Sequence, residues 1–151
     1  MKMKFIRTSL FAGSLLIAIV TLFSCSKSSP NSNSSAPVFT WSVSGATYTA
    51  DSDTAFISGP FAIIAKKDAS LPASYKIIEI DLSAFTTGAY TLSSSGVNQV
   101  NYLTNSGLAA SQSGTLNITA NTGSTLSGNF TTTLSGSVSM TGTFTNVPIK
   151  P

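Results

Sequence analysis

The chain has 151 residues, 42% of them hydrophobic and only 9% charged, with one cysteine, no histidine and a formal charge of +3. A lone Cys without His excludes an internal disulfide framework and a Cys/His metal site. It also leaves any serine nucleophile without the imidazole that usually activates it.

The N-terminus reads as an export signal. Lys2, Lys4 and Arg7 precede an apolar run from Leu10 to Phe23, interrupted only by Gly13, Ser14 and Thr21. A basic start, a short apolar core and a small residue before the cleavage point describe a secretory signal peptide, here residues 1–24. The run is shorter than the roughly 20 apolar residues of a membrane span. Leu22-Phe23-Ser24-Cys25 resembles a bacterial lipobox, with Phe23 departing from the small or β-branched residue usual at its position. The resemblance makes Cys25 the lipid-bearing residue and the membrane its partner. A retained N-terminal anchor with an unmodified thiol is the competing reading. Stable anchoring needs more than one acyl chain, because each buried CH₂ contributes only about 0.8 kcal/mol. The diacylglyceryl group and third acyl chain that the lipobox implies meet that need.

Removal of the signal changes the charge balance. Lys27, Lys66, Lys67, Lys76 and Lys150 remain, facing Asp51, Asp53, Asp68, Glu79 and Asp81, so the mature side chains balance to zero without an arginine. Phosphate contacts need a basic patch, so nucleic acid is not an expected partner. Solubility rests on Ser, Thr and Asn instead. Residues 25–37 are the lipidated Cys and a tether, Ser26 to Pro37 (SKSSPNSNSSAP), with nothing to bury. A coil of that length spans roughly 20 Å. The stretch after Cys25 carries Lys27 and no acid, so it lacks the acidic surface-export signal of some Bacteroidetes lipoproteins.

Residues 38–151 read as one β domain, large enough to fold without disulfides or metals. Apolar side chains alternate with polar ones, and turn residues recur every 8 to 12 positions, the pattern of a sandwich or barrel. Phe39, Trp41 and Val43 alternate up to a Ser44-Gly45 turn, with Tyr48 on the returning strand. Short strands follow at Phe56-Ile57 and Phe61 to Ala65, around Gly59-Pro60. Lys66-Lys67-Asp68 then places charge at a sheet edge. Tyr75 to Leu82, Gly88 to Leu92 and Val97 to Leu103 continue the series. A strand after Gly114 carries Leu116, Ile118 and Ala120, and two more run from Thr125 to Leu134 and from Ser137 to Val147. The expected fold is an all-β antiparallel meander of eight to ten short strands, closed as a sandwich or small barrel. Its expected core is Trp41, Val43, Tyr48, Ile63, Ile78, Ile80, Leu82, Leu92, Leu116, Ile118, Leu126, Phe130, Met140 and Phe144.

Leu126-Ser127-Gly128-Asn129-Phe130-Thr131 recurs as Met140-Thr141-Gly142-Thr143-Phe144-Thr145. This echo reads as one hairpin with similar arms, each Gly leaving room for a large neighbour across the sheet or permitting a bulge. With FTWSVSGATYTAD, TTGAYTL, SGTLNITA and GTFTNVP, most of Val38 to Pro148 resembles a family of small, uncharacterised Bacteroidetes lipoproteins. The resemblance implies the β fold and an envelope location, periplasmic or surface-facing on the outer membrane. It implies no activity and no functional residues.

Few residues invite chemistry. Asp51-Ser52-Asp53 could chelate calcium, but a calcium loop needs six to eight oxygens, and a polar turn is the simpler reading. Asp53-Thr54-Ala55 matches a short Bacteroidetes O-glycosylation pattern, which makes Thr54 a candidate acceptor. Glu79 and Asp81 share a strand face and are an acid/base pair only if a cleft brings a substrate to them. Tyr75 is assigned to the same face, and the three form a candidate ligand-contact group. No catalytic residue, metal or cofactor is assigned, and the protein is not expected to be an enzyme. The leading expectation is a non-catalytic binding or structural module that contacts a glycan or a small apolar ligand. The alternative is a lipocalin-like periplasmic carrier of a small apolar ligand.

Overall fold

The computed structural model describes residues 36–59 and 61–151; the signal segment, Cys25 and most of the tether lie outside the described residues. Ten strands account for the fold: β1 (Val38–Val43), β2 (Ala46–Thr49), β3 (Ser52–Phe56), β4 (Phe61–Lys67), β5 (Lys76–Leu82), β6 (Gly88–Ser93), β7 (Gln99–Thr104), β8 (Gly107–Asn121), β9 (Thr125–Leu134) and β10 (Val138–Lys150). The protein is therefore all-β, as its period-2 patterning demands.

Seven strands close a ring. From β10 the pairing runs through β3, β4, β5, β7, β8 and β9 and returns to β10. Two long strands make closure possible by changing partners along their length. β8 pairs with β7 through Gly107–Ala110 and with β6 through Ser113–Ile118. β10 pairs with β1 through Met140–Thr145 and with β3 through Ile149 and Lys150. Each change of partner falls near a bulge, which bends a strand and increases its twist. The β10 bulge lies between Phe144 and Val147, where Asn146 takes φ 53°. One β8 bulge lies between Ser111 and Ser113. The β1–β2 hairpin and β6 are added outside the ring but contribute to the same core. Ser44 (φ 51°) and Gly45 (φ 81°) give that hairpin the left-handed turn that matches strand twist.

The barrel axis is filled by side chains. Phe39 stacks on Phe144 at 5.7 Å between ring centres and meets Trp41 edge-on at 6.1 Å. Ile63, Ile78, Ile80, Leu92, Leu116, Ile118, Leu126 and Leu134 complete the buried set. The core expected from alternation is buried except for Tyr48, which stays partly exposed because β2 is a four-residue edge strand. Phe39, Phe85, Tyr90, Val100, Leu134 and Val147 join it.

Strand boundaries and topology differ from the sequence reading. β3 begins at Ser52, because Asp53 and Thr54 pair with Ala65 and Ile64, so the Asp51–Asp53 segment is half strand. β8 begins at Gly107, because pairing with β7 extends a segment that lacks alternation of its own. The meander is interrupted in two places: β1 and β10 stand between β2 and β3, and β5 pairs with β7 while β6 lies beyond β8. In addition, β3 and β10 run parallel.

Candidate functional site: an aromatic mouth at one end of the barrel

One end of the barrel opens into a cleft of about 490 Å³. The ends of many strands meet there. Val43 closes β1, Tyr48 stands on β2, Tyr102 and Thr104 on β7, Leu108 on β8, Leu134 ends β9 and Val138 opens β10. Alternation explains why these side chains converge. Tyr102 continues the inward row of Val100, and Val43 continues that of Phe39 and Trp41. At the barrel end such inward rows run out of partners and meet water. Leu108 illustrates the result: it is a leucine left 63% exposed at the rim.

Behind the mouth lies Trp41, the only tryptophan, 1% exposed and tilted against Tyr48 with 5.6 Å between ring centres. Its Nε1 is buried without a hydrogen-bond partner. A buried indole N–H normally finds one. The Tyr102 hydroxyl stands near enough for that N–H to oppose part of the pKa rise caused by burial, yet outside hydrogen-bond geometry. Burial prevails, so the Tyr102 phenol titrates above its ordinary value and stays a neutral donor at physiological pH.

Lys76 stands beside the mouth, next to its lining residues Tyr48 and Thr104. It occupies an inward position of β5, in line with Ile78 and Ile80, and pairs with Thr104 in register. Its Nζ lies 4.8 Å from the centre of the Tyr48 ring and donates to the Ser74 carbonyl at 2.9 Å. A cation over an aromatic face is attracted by the ring quadrupole. Among the described residues no carboxylate pairs with it, the ion pairs there being those of Lys67.

The residues singled out in the sequence lie elsewhere. Glu79 and Asp81 point outward from β5, between Ile64 and Ala62 on β4 and Asn101 and Gln99 on β7. Both titrate above their ordinary values, through burial in each case and, for Glu79, also through the neighbouring Asp81 charge. Asn101 Nδ2 donates to Asp81 Oδ2 at 3.3 Å. Tyr75 does not join them in a hydrogen bond; its hydroxyl donates to the Thr104 carbonyl at 3.1 Å, beside the mouth. Asp51 accepts from Lys67 Nζ and from the Asp68 N–H, each at 2.8 Å, and these hydrogen bonds hold its pKa down. Its carboxylate thus fastens the end of β4 to the start of β3. Asp53 is raised by burial. Among the described residues no group of three acids, His or Cys could hold a metal. Thr54 is partly exposed on β3, its hydroxyl donating to the Asp53 carbonyl.

Hydroxyls and amides cover the outer face of the β2-β1-β10-β9-β8-β6 sheet. Thr49, Thr40, Thr143, Asn129 and Asn117 form one row; Thr47, Ser42, Thr141, Thr131, Thr115 and Thr91 form the next. Some bond each other, as Thr40 with Thr143 at 2.9 Å and Ser42 with Thr47 at 2.7 Å. This is how a nearly uncharged surface stays wetted.

Alternation alone named Trp41 and Tyr48, but as core. The inward Lys76 was the available signal for the mouth, because a charge on an apolar strand face marks either an error of register or a strand end open to water.

Comparison with protein-family models, curated proteins and solved structures returns no match.

Proposed function

We propose that the protein is a lipid-anchored, non-catalytic binding module of the bacterial outer membrane, attached through Cys25 and engaging a small ligand at the mouth of its barrel. The observation that carries the binding half is the half-apolar cleft in which Val43, Tyr48, Tyr102, Leu108, Leu134 and Val138 converge. Small-molecule sites are concave and mostly apolar, with a few convergent polar groups. The anchoring half rests on the basic start, the apolar run, the lipobox-like Leu22–Cys25 and the Ser-rich tether.

The filled axis favours binding at the mouth over enclosure within the barrel. A carrier that swallows its ligand needs an axial cavity, and here Phe39, Phe130 and Phe144 from one wall share a single buried cluster with Ile63, Ile78 and Ile80 from the other.

Two measurements test the two halves. Cells fed radiolabelled palmitate should label the wild-type chain and leave Cys25→Ser unlabelled; a labelled Cys25→Ser chain would remove the anchor assignment. For binding, emission from Trp41 should respond saturably to small apolar ligands in the wild type and much less in Leu108→Asp. A Trp41 signal indifferent to a broad panel of such ligands would remove the mouth.

A further inference from the structure

We infer that the mouth selects a small amphiphilic anion, an apolar body carrying one carboxylate-like group. This inference rests on the mouth being the binding site and adds the chemical class of its ligand.

The argument is one of complementarity. The apolar part of the mouth is Val43, Leu108, Leu134 and Val138, enough to cover a short hydrocarbon body. Its polar lining is the phenols of Tyr48 and Tyr102 and the hydroxyls of Ser44, Thr104 and Ser106, and the Lys76 ammonium stands beside it over the Tyr48 ring. None of the five acids lines the mouth: Glu79 and Asp81 face outward on β5, Asp51 and Asp68 are engaged with Lys67, and Asp53 lies on β3 beside Pro37 and Pro148. Lys76 spends one N–H on the Ser74 carbonyl and has no carboxylate partner among the described residues, which leaves N–H groups of its ammonium for an incoming acceptor. Its Nζ reaches from β5 in one wall to Tyr48 on β2 in the other, so it guards one side of the opening. A ligand carboxylate would meet the ammonium there in a charge-assisted hydrogen bond, roughly twice as strong as a neutral one. A neutral apolar molecule would offer that ammonium no charged acceptor.

The test compares octanoate with octan-1-ol, an anion and its neutral counterpart of equal chain length. The chain as the cell makes it is reconstituted into phosphatidylcholine vesicles, and Trp41 emission is followed during titration. Octanoate should bind saturably and about tenfold or more tighter than octan-1-ol, the scale of one charge-assisted contact. Lys76→Gln should erase that difference, and Lys76→Arg should keep most of it. The first comparison is made on the unaltered chain, so it stands even if a variant folds poorly. Equal binding of both probes overturns the anion assignment and leaves the mouth as the site. A Trp41 signal that responds to neither overturns the mouth as well.

Discussion

Gly142 lies directly opposite Phe130 across the β9–β10 ladder, and the Phe130 ring fills the space that a side chain on Gly142 would need. The relation is reciprocal: Gly128 lies opposite Phe144, whose ring tip would meet an added Cβ at 2.5 Å. The two arms of the echo in the sequence thus lock together, each glycine receiving the other arm's phenylalanine. Gly142→Ala should destabilise the fold by about 1–3 kcal/mol, the usual cost of overpacking. Chemical denaturation of Gly142→Ala, Phe130→Leu and the double variant should show strong coupling, with the smaller Leu relieving part of the Ala clash. Additive effects would mean that the ring moves aside without cost.

Ser111 and Val100 make a second buried dependence. The Ser111 Oγ accepts the Val100 N–H at 3.0 Å, and both residues are fully buried. The hydroxyl stands in for a ladder carbonyl where β8 shifts register between Ser111 and Ser113. Ser111→Ala leaves that N–H without a partner and should cost about 1–3 kcal/mol. Amide exchange at Val100 should accelerate in the variant; unchanged protection would show that another acceptor takes over.

The acids make opposite contributions to stability as pH changes. Hydrogen bonds from Lys67 and Asp68 hold the Asp51 pKa below its unfolded value. Its contribution is therefore present above the unfolded pKa and is lost as pH falls through the lower, folded one. Glu79 and Asp81 are raised by burial, so their ionisation weakens the fold, and their effect is a loss of stability as pH rises through the raised values. Thermal melts between acid and neutral pH should show Asp51→Asn flattening the acid limb. Asp81→Asn should raise stability at neutral pH, by up to about 0.5 kcal/mol, the ordinary scale of a surface change. A neutral-pH loss in Asp81→Asn would mean that its bond to Asn101 outweighs its desolvation.

The phenol of Tyr102 offers a further check on the mouth. It titrates above its ordinary value because it is buried, with the Trp41 N–H acting against that rise. Trp41→Phe removes the opposing group, so the Tyr102 titration should move still higher in alkaline ultraviolet titration of that variant. A shift downward would show that burial at Tyr102 depended on the indole.

Much of the architecture was legible before any coordinates. Inward residues such as Ile78, Ile80, Leu116 and Phe130 declare themselves by alternation, because a strand side chain's face is fixed by its parity. The Ser44-Gly45 turn and the arms of the last hairpin are legible for the same local reason. The candidate site was much less so. Glu79, Asp81 and Tyr75 drew notice as polar groups near one strand, yet Tyr75 bonds to Thr104 while the two acids stand on an outer face. Lys76, Tyr102 and Leu108 carry no motif and are distant in sequence from Trp41 and Tyr48.

By itself, the sequence determined which residues form strands and which of their faces turn inward, and it carries the signals from which export and lipidation are proposed. These are local properties, set by backbone parity, turn chemistry and the apolar run before Cys25. Only the tertiary structure decided that β5 skips β6, that β8 and β10 each serve more than one partner to close a ring, and that Tyr48 and Tyr102 meet at one open end with Trp41 and Lys76 against Tyr48. Those outcomes depend on long-range pairing, where bulges near Ser111 and Asn146 select among registers that local preference leaves nearly equal.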